Sequence, residues 1–273
     1  MNRIQKVTAA TWIIGIAAYL GAAGAAAQEP QKSAQPASAP AIEPAAAAAL
    51  DRMGDYLKTL STFAIHADVT TDEVLVAGPK VQYGSTIDAT YQAPDRLRLR
   101  VTHDEKDDQQ FFYDGRALSL WLEAKKAWAS VAATGTVPET IAFVASKYDV
   151  NFPLGDLLGR AARKELLRDV EAGIVIGTGR VAGVECDHLG FHQAGTDWQV
   201  WIEKGDRPLP RKMVITTLDE PSQPQHTEVL TWDLSPTIDA ATFAFTPPEG
   251  AQRIVIATRH AAKPAAAVKR EVK

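Results

Sequence analysis

From residue 62 onward the chain alternates greasy and wet positions with a period of two. Phe63, Ile65, Ala67 and Val69 alternate with Ala64, His66, Asp68 and Thr70. Val81, Tyr83, Ser85, Ile87, Ala89 and Tyr91 alternate with Gln82, Gly84, Thr86, Asp88 and Thr90, and Leu97, Leu99 and Val101 alternate with arginines. One apolar and one polar face is the mark of an antiparallel sheet with a single buried side. The next strands, in 109–122, turn at Asp114-Gly115, a dipeptide that tolerates the positive φ of a tight hairpin, and Trp128–Val131 closes the meander. Further strands are predicted at Ile174–Val181, Val184–His192, Trp198–Glu203, Arg211–Leu218 and Thr227–Leu234, behind the glycines 173, 177, 179 and 183.

Helical spacing interrupts this pattern in two places. Leu50, Met53, Leu57 and Leu60 form one apolar stripe ahead of the first strand. Between Thr136 and Asp169, Pro138 suits a first helical turn, Ile141, Val144, Ala145 and Tyr148 share a side, and Leu154, Leu157, Leu158, Ala161 and Leu166 mark a second short helix. The fold class that follows is mainly β (α+β). About eleven strands exceed what a flat sheet holds comfortably, so the sheet is expected to curl into an open barrel with helices over its concave face.

The ends read differently from the middle. Arg3 and Lys6, the apolar run Val7–Leu20 and Ala25-Ala26-Ala27 have the three parts of a secretory signal, which places the mature protein, from Gln28, in the periplasm. Residues 28–44 (Pro, Ala, Ser, Gln) are expected to be a disordered linker and 257–273, with five Lys/Arg against one Glu, a disordered basic tail. The domain is therefore 45–256. Loss of residues 1–27 takes the formal charge from −4 to −6, which argues against nucleic acid. The tail offers a peripheral contact with anionic membrane.

The stretch 184-VECDHLGFHQ-193 carries the one cysteine and two of the six histidines. On a strand, His188 and His192 sit roughly 13 Å apart, too far to share a metal whose bonds are about 2 Å. Cys186 and His188 are same-face neighbours, but a mid-strand cysteine lacks the helix N-terminus or cationic surroundings that make a nucleophile, so an inert wall residue is expected. Gly84-Ser85 lacks the second glycine of a nucleophile elbow, and Asp104–Asp108 lacks the ligand spacing of a calcium loop. No metal, cofactor or catalytic group is expected.

The aromatics on the strands, Trp121, Trp128, Trp198, Trp201 and Trp232 among them, are too many for one small dry core. They either pack between sheet and helices or line an incompletely filled apolar concavity that holds a lipid or acyl chain. The inward-parity residues that would line it are Phe63, Ile65, Tyr83, Ile87, Leu97, Leu99, Val101, Trp198, Val200, Ile202, Met213 and Ile215, with Phe143, Leu157 and Leu158 from the helices.

The segments 111-FFYDGRALSLWLEAKKAW-128, 198-WQVWIEKGDRPLPRKMVIT-216 and 243-FAFTPPEGAQRI-254 resemble the lipoprotein localisation factor (LolA/LolB-like) superfamily. The combination of 186-CDHLGF-191 with DWQVWI is more similar still to predicted periplasmic proteins of domain-of-unknown-function family 2092. The resemblance spans about Leu50 to Ile256. It implies an unclosed half-barrel of about eleven strands with a helical lid, a cavity that in the relatives carries lipoprotein acyl chains, and no catalytic motif to carry over. The lid-latching arginine of those carriers has no assignable counterpart here, and the basic tail is not part of their pattern. Three functions remain open: a periplasmic binder or carrier of a lipid, acyl chain or lipoprotein; an envelope-associated interaction or sensor domain using the same sheet; and, least supported, an enzyme built on Cys186 and His188.

Overall fold

A computed structural model describes residues 42–75, 79–148, 152–158, 166–256 and 258. The expected signal segment, most of the expected linker, Ala161 of the second helix and all but one residue of the basic tail lie outside the described residues.

Helix α1 (Pro44–Thr59) leads into β1 (Thr62–Val74), β2 (Lys80–Gln92), β3 (Arg96–His103), β4 (Gln109–Tyr113), β5 (Ala117–Leu122) and β6 (Ala127–Ala132). Helix α2 (Val137–Tyr148) and the single turn α3 (Gly155–Leu158) follow, then β7 (Val170–Val181), β8 (Val184–Gln193), β9 (Thr196–Glu203), β10 (Pro210–Thr217) and β11 (Gln225–Asp233). A 3-10 turn at Ala240–Phe243 precedes β12 (Gln252–Arg253).

All twelve strands belong to one open sheet in the order β12-β6-β5-β4-β3-β2-β1-β11-β10-β9-β8-β7. The first strand thus lies mid-sheet, with β2 on one side and β11 on the other. The half-barrel reading holds, with one strand more than expected. β12 is two residues paired in parallel to β6, too short to show any periodicity in the sequence.

The period-two reading sets the register. Phe63, Ile65, Ala67 and Val69 are buried on the inner, helix-covered face, as are Ile87, Ala89 and Tyr91 on β2 and Leu97, Leu99 and Val101 on β3. Two layers cover that face. The Ala-rich side of α1 (Ala46, Ala49, Leu50, Met53, Leu57) packs on Leu189, Phe191, Trp198, Val200 and Ile202 of β8 and β9. Val137 and Val144 of α2, with Phe152, Leu154, Leu157 and Leu158, pack on β1–β5. Helix α2 opens with a capping box: the Glu139 carboxylate accepts from the N–H and hydroxyl of Thr136 at 2.7 and 2.9 Å, and the first of these bonds chiefly holds its pKa below the usual range.

The described residues begin at Ile42, inside the expected linker. Ile42 forms a parallel bridge with Gly173, and the Glu43 carboxylate accepts from the N–H of Val175 at 2.9 Å, so the front of α1 is fastened to the outer edge of β7. Gly173 lies inside β7, which begins at Val170 rather than Ile174; a Cβ there would meet the Phe191 ring at 2.7 Å, so the glycine admits both Phe191 and Ile42.

The aromatics divide between the faces. Trp198 stacks on Phe191 and Phe63 on Tyr91 inside, at centroid distances of 4.1 and 4.8 Å. Phe112, Trp121 and Trp128 point outward and lie under Phe245 of the C-terminal segment, at 5.1, 6.3 and 5.9 Å. A third solution thus joins the two expected ones: the segment after β11 gives the outer face of β4–β6 an apolar cover of its own.

Candidate functional site

At one end the two covering layers leave a cavity of about 470 Å³. Its floor comes from β1 (Val69, Thr71, Glu73), β2 (Tyr83, Ser85, Ile87), β3 (Val101, His103), β10 (Met213, Ile215) and β11 (His226, Glu228). Its roof is Phe152, Pro153, Leu154 and Leu157. Antiparallel register puts these residues at the same end of the sheet, since Thr71 faces Tyr83 and His226, Ile87 faces Val101, and Met213 faces Glu228.

Burial on β10 shows that the space is real. Outward-pointing Val214 and Thr216 are only 7 and 8 % exposed, whereas Met213 and Ile215, which point inward, are half-buried. This reverses the usual pattern of a sheet strand, because the inward pair is only partly covered: Ile215 packs at the edge of the α1-covered core, Met213 borders the gap beneath α1, and both also line the cavity.

Of the residues expected to line a ligand site, Tyr83, Ile87, Val101, Leu157, Met213 and Ile215 meet at this cavity. Trp198 and Val200, with Leu157 and Met213, border a separate gap of about 20 Å³ beneath α1. Phe63, Ile65, Leu97, Leu99, Leu158 and Ile202 are core residues against neighbouring side chains, and Phe143 packs half-buried at the edge of that core. They border neither space.

The polar end of the cavity is absent from the sequence reading. His226 sits between Thr71 and Glu228: its Nδ1 is 2.8 Å from the Thr71 hydroxyl and its Nε2 is 3.1 Å from the Glu228 carboxylate. Lys106 pairs with Glu73 at 2.6 Å. The signal lay in the same parity that gave the strands. Continuing each inward series past its apolar part gives Thr71 and Glu73 after Val69, His103 after Val101, and Glu228 and His226 before Leu230. One end of an otherwise apolar face therefore turns polar on β1, β3 and β11.

The order hydroxyl, imidazole, carboxylate is that of a nucleophilic triad. Thr71, however, is mid-strand and paired on both sides, with Tyr83 and His226, so the main-chain N–H groups around it serve the ladders and leave no preorganised pair for an oxyanion. The arrangement suits binding better than acyl transfer.

Cys186 is fully buried, and burial pushes its thiol pKa up. Arg211 lies near enough to oppose that shift, a cation the strand reading did not foresee, but its guanidinium is engaged by Glu203 at 2.9 Å. His188 stacks on Trp201 and bonds Gln199 at 2.9 Å, while His192 bonds Asp197 at 2.6 Å. Among the described residues no group of three or more His, Cys, Asp or Glu is placed to hold a metal. Nor is any helix there long and apolar enough to cross a membrane.

The sequence profile of the family described as Predicted periplasmic protein (DUF2092) matches residues 46–257. No curated protein sequence matches significantly. Among solved structures, the chain is similar to lipoprotein LppX of Mycobacterium tuberculosis, at 15 % identity and a TM-score of 0.46, over 72 % of this chain and 100 % of that one. It is similar to LprF of Mycobacterium bovis, at 14 % and 0.43, over 78 and 100 % of the two chains. A LolA superfamily protein of Nitrosomonas europaea matches at 10 % and 0.30, over 73 and 97 %.

Proposed function

The chain belongs to the DUF2092 family of predicted periplasmic proteins, and from that premise we propose that it is a non-catalytic binding or carrier protein for a hydrophobic ligand, a lipid or the acyl chain of a lipoprotein. The observation that carries this reading is the cavity with Met213 and Ile215 only partly buried on its floor. Apolar surface left open beside a buried apolar core is unfavourable unless something fills it, at roughly 25 cal/mol per Å². The volume lies within the roughly 300–1,000 Å³ typical of small-ligand pockets, so it accommodates one chain rather than a whole multi-chain lipid.

Native mass spectrometry of freshly purified protein, followed by lipid extraction, tests the reading directly, and a fluorescent acyl probe tests the site. The probe is expected to bind with a one-to-one stoichiometry and to be displaced by phospholipid. Met213→Trp, which places an indole in the cavity, is expected to abolish binding while the protein stays folded. A protein that carries no lipid and takes up no probe would end the proposal.

Exposed Ile174 and Ile176, 48 and 49 % accessible on the edge strand β7, favour one second reading, contact with a polypeptide. A stable protein partner co-purifying without lipid would move the assignment there.

A further inference from the structure

The cavity is not uniformly greasy, and its polar end has a sign. Glu228 is 7 % exposed and lies between Val69 and Met213 on the flanking strands. A carboxylate in such surroundings is costly unless paired and hydrogen-bonded. Among the described residues its hydrogen-bond and ion-pair partner is the His226 imidazole at 3.1 Å, with no lysine or arginine beside it. That imidazole is also bonded to the Thr71 hydroxyl, an arrangement a neutral ring satisfies by donating to Glu228 and accepting from Thr71. Among the described residues the remaining charged lining groups do not correct the imbalance. Lys106 is committed to Glu73, and Glu105 adds a further carboxylate, leaving His103 and Tyr83 as the other titratable neighbours.

We propose, resting on the hydrophobic-ligand reading above, that the cavity selects an amphiphile with a single chain and a protonated amine head. The chain lies along Ile87, Val101, Leu154, Leu157 and Ile215, and the ammonium sits against Glu228 at the Thr71–His226 end. An ammonium supplies the donors and the charge that the buried carboxylate lacks, whereas an anionic head would meet Glu228 and Glu105 with like charge. The chemistry recognised is the ammonium, whether on a simple long-chain amine or on an amine-headed lipid.

Binding is measured by displacement of the neutral acyl probe, in vesicle-free solution at pH 7.5 and below micelle-forming concentrations, with decylamine, decanol and decanoate. These share one tail and differ in the head. The amine is expected to bind at least about tenfold more tightly than either of the others, the scale of one charge-assisted hydrogen bond. Glu228→Gln, which keeps the shape and removes the charge, is expected to bring the amine to within about threefold of the alcohol and leave the alcohol unchanged. Met213→Trp is expected to abolish all three, which separates binding in the cavity from general attraction of amines to an acidic protein. Decanoate binding as tightly as decylamine, or an amine preference that survives Glu228→Gln, would overturn the head-group assignment and leave the hydrophobic-ligand reading standing. Binding of none of the three would remove both. Because the head-group series is read on the native chain, it decides the matter even if Glu228→Gln does not fold.

Discussion

Two regions of the same inner face meet their cover in opposite ways. Beneath α1, small residues Ala46 and Ala49 bring the helix close, Leu50 and Met53 reach the sheet, and a gap bordered by Leu50, Trp198 and Val200 is about 20 Å³. At the far end of β1, β2 and β11 the roof is a short turn carrying Phe152, Leu154 and Leu157, and about 470 Å³ stays open. The first region is filled by side chains, whereas the second is left open. Both regions rest on the same alternating strands and differ in their cover: a four-turn helix fills its groove, whereas among the described residues the other groove is roofed by the single turn α3 and the residues leading into it.

The most severe way to break the comparison is to open the closed region. Leu50 on the inner side of α1 is fully buried, and Leu50→Ala is expected to lower unfolding free energy by about 2–5 kcal/mol in a denaturant titration, through lost burial and the cavity left behind. A smaller effect comes from adding bulk to each region in turn. Val200→Phe has only the narrow gap to enter and is expected to cost about 1–3 kcal/mol with little change in probe binding. Met213→Trp enters open space and is expected to cost less while abolishing probe binding. Equal stability losses in the two variants would mean that the two regions are equally full.

The smallest effect is a control on the outer face, remote from both regions. His66 bonds Asp88 at 2.7 Å, and that bond, against some desolvation, raises its pKa above the usual 6.5. A raised folded-state value means that protonation stabilises the fold. The contribution is complete below the unfolded-state pKa and is lost as pH rises through the folded-state value. Both side chains are more than a third exposed, so native protein is expected to exceed His66→Gln by no more than about 1 kcal/mol at pH 5.5 and to match it at pH 8.5. Thermal melts at the two pH values check this, and probe binding should be the same in both proteins.

Much of the sheet was legible because one-sided burial writes itself into the sequence with period two, as in Phe63 to Val69 and Leu97 to Val101. The Asp114-Gly115 turn was legible for a local reason, the positive φ of 80° at Gly115. What escaped depends on contacts between distant segments. Nothing within 243-FAF-245 states that Phe245 will cover Phe112, Trp121 and Trp128, and nothing local fastens Ile42 to Gly173. For the cavity, parity named the inward residues but not the depth of the roof above each one. Leu99 and Ile87 read alike in sequence; the first is sealed in the core and the second lines open space. The polar end was readable in principle, by following each inward series beyond its last apolar member.

The position of β1 in mid-sheet also governs the order of events during folding. β1 and β2 are consecutive in sequence and pair as a local hairpin. The other edge of β1 must wait for β11, because Thr71 and His226 are 155 residues apart in sequence. Pairings of such separation close late and slowly, since loop entropy is lost before the contact repays it. The polar end of the cavity spans that seam, so the Thr71–His226 contact forms only once β11 has joined β1, and the unpaired β1 edge is the surface most in need of protection until then.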